Sequence, residues 1–528
     1  MIATLRSAWE RLAHYPRLTV IAAGAIGACA YPPLGLWPLG LIAAAILIAL
    51  LHRADRARQA FLIGWLFGWA HLTLANNWIA IAFTFQAEMP MWLGWLAVPL
   101  LCIYLAIYPG MAALAAHVLA RRAGVLPFGA MLAACWIVTE WLRSWVFTGY
   151  PWPPLGLMLV GGWDTPGIAR ILPWLGTYAL SGAVLVIAAL LIWALVGRRW
   201  AALVITAIVT VAAMHWPGPA PRQGSVRYSL VQPLIPQEEI NDPRMFEAQY
   251  QRIARLTQPS DGAPRVVLWP ESAVPDYLEE GYPDRYYVST TAAADPVYAR
   301  QRIGGLLGEG SMLLTGLVHL DIGEKDGMRR AVSARNAVSA INPDGELVET
   351  YAKAHLVPYG EYLPMRGLLE PLGLSRLVAG TIDYVPGPGA RSIDLGDLGK
   401  AGIQICYEIV FSGQVVDRGN RPDYIFNPSN DGWFGHWATP QFLGQARMRA
   451  IEEGLPVVRA TTTGVSAVVD ADGVVRQTIG RNRADRADGL MPPARPATLF
   501  ARLGNILPLG WALVLAAGSL VAMRRRRV

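Results

Sequence analysis

The residues best able to do chemistry in this 528-residue chain are among its four Cys and three Lys. Cys29, Cys102 and Cys135 fall in or at the ends of long apolar runs, where a small thiol needs no role beyond packing. Cys406 is different, because it closes the apolar run Ala401–Ile405 immediately before the polar pair Tyr407-Glu408. A lone thiol at a strand end suits a nucleophile; a buried structural cysteine is the alternative. Of 45 basic side chains only Lys325, Lys353 and Lys400 are lysine, so a chain that elsewhere uses Arg keeps an ammonium at each. Lys325 lies in a Gly-Glu-Lys-Asp-Gly turn and reads as solvated. Lys353 follows a strand-like run, where a compact charge either lowers a thiol pKa or stabilises an oxyanion, or simply stays on the surface. Glu271 follows the run Val266–Pro270 in the same way. Three such groups at the ends of three strands can converge on one edge of a sheet.

The elements that must position them belong to two solvents. The chain is 54% hydrophobic and 16% charged, too apolar for an ordinary soluble enzyme. Of 20 Trp, 16 precede Pro217. Apolar runs long enough to cross about 30 Å of hydrocarbon occur near 17–34, 36–51, 61–83, 92–120, 125–147, 171–196, 200–216 and 503–523, predicting eight helical spans. Arg6, Arg11 and Arg17 precede the first; Arg53, Arg56 and Arg58 follow the second; Arg121 and Arg122, Arg198 and Arg199, and Arg524 to Arg527 follow the fourth, sixth and eighth. Every second loop is basic, whereas 84–91 carries no positive charge, so both termini are expected in the cytoplasm and the 217–500 insert outside. These flanks account for the net charge of +7 without nucleic acid. A cleaved signal peptide over 1–31 is disfavoured, since another span follows at once and no small-residue cleavage site is evident.

From Gly224 the composition turns α/β. Short runs at Ser225–Val231, Arg265–Trp269, Ser311–Gly316, Ala337–Ile341, Gly402–Cys406 and Asp423–Phe426 read as strands. Turns at Asn342–Gly345 and Asp470–Gly473 predict two hairpins. The expected organisation is therefore a membrane domain over 1–216 with seven spans, an extracytoplasmic domain over 217–500, and an eighth span with a basic tail over 501–528. Glu140 and Arg143, spaced i,i+3 near a span's outer end, either pair with each other or leave Arg143 for a lipid phosphate. None of the His spacings suits zinc, so no metal is expected.

Trp269-Pro-Glu271-Ser, Tyr351-Ala-Lys353-Ala-His-Leu-Val-Pro-Tyr-Gly-Glu361 and Ile405-Cys406-Tyr-Glu408 resemble, in order and spacing, the Glu-Lys-Cys motifs of the nitrilase superfamily. With eight spans and Asn77-Trp-Ile79, Glu140-Trp-Leu-Arg143, Thr148-Gly-Tyr-Pro-Trp152 and Asn430-Asp-Gly-Trp-Phe434, the chain resembles the apolipoprotein N-acyltransferase family across nearly its whole length. The resemblance implies a membrane helical bundle plus an exported αββα sandwich, in a multi-pass protein of the bacterial inner membrane with its catalytic domain on the periplasmic side. It implies transfer of a phospholipid acyl chain to the α-amine of a diacylated apolipoprotein, without a cofactor, by a Glu271-Lys353-Cys406 triad. Glu361 and Glu408 would orient Lys353 or polarise the amine, Tyr407 and Asn336 would support the site, and Trp433 and Phe434 would contact lipid, cover the site or anchor a buried loop. Residues 362–387, rich in Leu, Pro and Gly, suggest an arm above the bilayer. The rival readings are a membrane-anchored nitrilase-like amidase and a non-catalytic lipid-binding or transport protein.

Overall fold

The computed structural model describes residues 10, 14–85, 90–259, 261–325, 327–372 and 382–525. Arg6, Arg11, Arg526 and Arg527, residues 86–89 of the 84–91 loop and residues 373–381 of the 362–387 segment lie outside the described residues. The chain divides into two units, one of Met1–Ala80, Met91–Gly218 and Thr498–Val528 and another of Ile81–Pro90 and Pro219–Ala497.

The first unit is helical because its sequence is apolar on every side of each helix. Among the described residues four stretches are long and apolar enough to cross a membrane: Trp92–Ala120, Val125–Arg143, Thr177–Val196 and Ile506–Arg525. Pro16–Ala28, Trp37–His52 and Trp200–His215 are apolar but shorter, and helix Ala57–Ala75 overlaps the 61–83 run. Run and helix ends differ where Pro and Gly intervene. The 171–196 run becomes a long helix only at Thr177, since Leu172–Leu175 form a separate turn ended by Gly176 at φ 73°. Helices approach through small residues: a Cβ on Gly64 would lie 2.5 Å from the Ala113 Cβ, and one on Gly129 would lie 2.3 Å from that of Ala189. Such contacts favour association where apolar lipid offers no hydrophobic drive.

Among the described residues the second unit is built on two six-stranded sheets. In chain order the strands are β1 (Arg227–Gln232), β2 (Val266–Leu268), β3 (Met312–Lys325), β4 (Met328–Ile341), β5 (Leu347–Ala352), β6 (Ser392–Asp394), β7 (Lys400–Ile403), β8 (Tyr424–Ser429), β9 (Val457–Thr461), β10 (Ser466–Val469), β11 (Val475–Ile479) and β12 (Asp485–Leu490). One sheet runs β12-β1-β2-β3-β4-β5 and the other β11-β10-β9-β8-β7-β6. β1, β2 and β3 are mutually parallel, as are β7, β8 and β9. That accounts for their continuous apolar runs, since parallel strands are covered on both faces.

Helices Phe246–Thr257 and Pro296–Gly304 cover the first sheet, burying Ile253, Ala299 and Ile303 against Val231, Val267, Leu313 and Ile341. Helix Gly435–Glu453 lies against β9 and β10 of the second. Between the sheets Gln232 Oε1 accepts from Thr461 Oγ1 at 2.9 Å and Ser466 Oγ at 2.6 Å. A buried amide gains its full set of partners only when the two sheets are in one alignment.

Both predicted hairpins are present, β4–β5 and β10–β11. In the first, Gly345 takes φ 80° and its N–H donates to the Asn342 carbonyl at 3.0 Å. Two strand readings need correction. β3 and β4 extend far beyond Ser311–Gly316 and Ala337–Ile341 into a long antiparallel ribbon, which the sequence masks because His319, Asp321 and Arg335 break the apolar pattern on its exposed side. The run Gly402–Cys406 stops being a strand at Ile403, and Cys406 opens a 3₁₀ turn, Cys406–Val410.

Candidate active site

The ends of β2 and β5 in one sheet and β7 in the other bring Glu271, Lys353 and Cys406 together, all buried. Lys353 Nζ stands 3.0 Å from Glu361 Oε1 and 3.7 Å from Glu271 Oε1. Asn336, on β4, ties the two carboxylates by donating Nδ2 to Glu271 Oε1 at 2.7 Å and to Glu361 Oε1 at 2.8 Å. The second oxygen of Glu271 accepts from the Asn430 backbone N–H at 2.7 Å, and that of Glu361 from the Val357 N–H at 2.7 Å. Glu271 comes this close to β3 because Gly316 has no side chain; a Cβ there would lie 2.6 Å from the Glu271 Cα.

Burial disfavours the charged form of Lys353, yet the facing Glu361 and Glu271 carboxylates outweigh it and hold the ammonium above its ordinary pKa. Burial pushes the Cys406 thiol well up and the Glu271 charge adds to this, while Lys353 and the Ser429 hydroxyl pull the other way. The Glu271 carboxylate and the Lys353 ammonium therefore act on the thiol in opposite senses. Glu408 lies two residues past Cys406. It accepts from the Ile405 N–H at 2.7 Å, the Ala354 N–H at 2.7 Å, the His355 N–H at 3.1 Å and the Tyr351 hydroxyl at 2.8 Å. It therefore joins the cysteine turn to the lysine loop. Burial lifts its pKa from 4.5 to about 7 despite these donors.

Around this centre, Tyr407 packs edge-on against Phe411 with centroids 5.1 Å apart. Trp433 is half-buried and meets Phe85 edge-on at 6.0 Å, and Phe434 lies 5.7 Å from Phe442. Arg143 is in the first unit, 3.6 Å from Glu140, and donates to the carbonyls of Trp152 at 3.3 Å and Pro153 at 2.9 Å. Among the described residues no group of three His, Cys, Asp or Glu could hold a metal. Asn427, Ser429, Arg459 and the Asn430 N–H escape the sequence reading. The one signal available was an Arg in the middle of the apolar run Val457–Thr461.

A buried Cys-Lys-Glu constellation on a two-sheet sandwich defines a carbon–nitrogen hydrolase domain of nitrilase type, and residues 231–485 match the carbon–nitrogen hydrolase family. Residues 23–190 match the apolipoprotein N-acyltransferase N-terminal domain. The chain is 32% identical to the apolipoprotein N-acyltransferase of Rhodopseudomonas palustris over 98% of its own length and 96% of that relative's. It is 34% identical to that of Allorhizobium ampelinum, covering 89% and 88%, and 33% identical to that of Bradyrhizobium diazoefficiens, covering 98% and 95%. The chain belongs to the apolipoprotein N-acyltransferase family.

Proposed function

We propose that this acyltransferase moves an acyl chain from a phospholipid to the α-amine of a diacylglyceryl-cysteine apolipoprotein through a thioester on Cys406. Glu271 takes the thiol proton as sulfur attacks the ester carbonyl. Lys353 stabilises the tetrahedral oxyanion, and Glu271 returns the proton to the departing lysophospholipid. The incoming amine then attacks the thioester, Glu271 accepts its proton, and the thiol is regenerated as the amide leaves. An amide is more stable than the starting ester, so the exchange runs without ATP. Glu361 and Asn336 orient Lys353 and Glu271, and Glu408 holds the cysteine turn. Tyr407, Trp433 and Phe434 border the site, and Arg143 belongs to the supporting set in the membrane half.

The observation that carries this reading is the buried Lys353 ammonium held by Glu271 and Glu361; its charge, with that of Glu271, acts on the Cys406 thiol. The topology we propose has eight spans over 1–216 and 501–528, both termini in the cytoplasm, and the 217–500 domain on the periplasmic side of the bacterial inner membrane. The basic flanks after every second span favour it, and a site beside the outer leaflet can reach both lipid substrates. A tethered amidase would need only one anchor.

Mass spectrometry of a diacylated lipopeptide before and after exposure to enzyme and phospholipid separates the readings. Transfer adds one acyl chain, hydrolysis frees fatty acid and leaves the lipopeptide mass alone, and binding changes neither. A Cys406→Ala enzyme that still formed a hydroxylamine-sensitive acyl adduct would remove Cys406 as the nucleophile.

A further inference from the structure

The nucleophile occupies a strained turn, and its support comes from residues with no part in the reaction above. Cys406 has φ 50°, a left-handed conformation that is strained for a side-chain-bearing residue and persists only where the surroundings over-determine it. Asn427, fully buried on β8, donates Nδ2 to the Gln404 carbonyl at 2.5 Å and to the Cys406 carbonyl at 3.3 Å. Its Oδ1 accepts from Arg459, the residue paired with it in register on β9. Arg459 is fully buried, donates to Ser429 Oγ at 3.2 Å, pairs with Asp431 and lies 4.7 Å from the centre of the Phe442 ring. A guanidinium has donors only, so the Asn427 oxygen must face Arg459 and its amide nitrogen must face the cysteine turn. A free Asn could present either end.

We propose that Arg459 and Asn427 are positioning residues for acyl transfer: the guanidinium fixes which way the Asn427 amide points, and the amide holds the Gln404 and Cys406 carbonyls so that the thiol stays aligned. The inference rests on the reading of Cys406 as nucleophile. Arg459 also fixes Ser429, whose hydroxyl acts on the thiol, so a single buried cation orders two contacts to the reacting residue from β8.

The test uses full-length enzyme in phospholipid nanodiscs carrying a labelled sn-1 chain, with single-turnover formation of the acyl adduct as readout. Asn427→Asp keeps the size and gives Arg459 a carboxylate, but offers the two carbonyls no donor. Acylation should slow by about 100-fold, the loss typical of a reacting group misplaced by about 1 Å, with apparent KM for phospholipid within about threefold of wild type. Arg459→Lys keeps the charge but loses the planar fork, and acylation should slow at least about tenfold. Either variant, folded and acylating within about threefold of wild type, overturns the proposal. Hydrogen exchange on the unmodified enzyme needs no variant. The amides of Ile405 to Glu408 should exchange as slowly as those of β8, and local opening of the turn alone would likewise overturn it. A wild-type enzyme that forms no adduct sinks the acyl-transfer reading itself. Iodoacetamide alkylation of Cys406, slowed in the same two variants, reports the positioning relay independently.

Discussion

Replacing Lys353 by Met removes a charge while keeping most of the side-chain volume, and the surrounding distances set the size of the effect. At an effective dielectric of about 20, a unit charge pair at the 3.0 Å separation from Glu361 is worth about 5.5 kcal/mol, and one at the 3.7 Å separation from Glu271 about 4.5 kcal/mol. These gains are offset by burial, and breaking such a pair by deleting one partner costs about 3–5 kcal/mol. With the ammonium gone, two carboxylates remain on the single Asn336 amide at 2.7 and 2.8 Å, and one relieves the repulsion by holding a proton. Glu271 is compromised as a base at the same time as the oxyanion loses its donor. Loss of one such donor lowers turnover by about 10²–10³-fold, so acyl-adduct formation should fall by at least about 10³-fold. The thermal midpoint should also drop. Adding Glu361→Gln removes the unpaired charge and should recover stability without recovering activity, which separates the two roles of the lysine. Single-turnover acylation followed by intact-mass spectrometry, with a melting curve on the same preparations, provides the readout. A folded Lys353→Met enzyme that acylates within about tenfold of wild type would refute the electrostatic account.

Gly316→Ala should reduce acylation more than stability, because the new Cβ meets the Glu271 Cα at 2.6 Å and the Ser272 N at 2.8 Å and must push the base away; parallel rate and melting measurements check this, at an overpacking cost of about 1–3 kcal/mol. Glu408→Gln presents an amide to a position ringed by donors, so a loss of about 1–3 kcal/mol is expected by urea unfolding, with slower alkylation of Cys406. Glu453 is buried beside Glu452, and burial first, then that neighbour, raises its pKa from 4.5 to about 7. An acid with a raised folded pKa contributes stability below pH 4.5 that is lost as pH climbs through about 7. Glu453→Gln should therefore raise the melting temperature at pH 8 and change it little at pH 4.5; a gain confined to acid would contradict the assignment.

Sequence made Glu271, Lys353 and Cys406 visible as candidates because Glu271 and Cys406 close apolar runs and because lysine is so rare here that Lys353 stands out after its strand. Residue type alone could not reveal the turn at Cys406. The apolar run continues through Gln404 and Ile405 with no break, while the backbone leaves the sheet at Ile403 and reverses sign in φ at the cysteine. Arg459 was illegible for a related reason. In a five-residue apolar strand an arginine reads as a solvated interruption, and only the register that sets it opposite Asn427 and over Phe442 shows why it is buried. Asn336 is similar. Its place on β4 followed once the ribbon with β3 was known, but the pattern that would have announced that ribbon is broken by His319 and Asp321 on its exposed side.

Glu271 and Lys353 come from one sheet and Cys406 from the other. Catalysis therefore measures the registration of two layers that share no strand: each could keep every ladder bond and still be inert if it slid across its neighbour. Activity should vanish on partial loosening while the circular dichroism of the strands persists. The two pieces of a domain cut between β5 and β6 would each be dead alone and regain acyl transfer only on docking that restores both the β12–β1 ladder and the alignment that Gln232 locks.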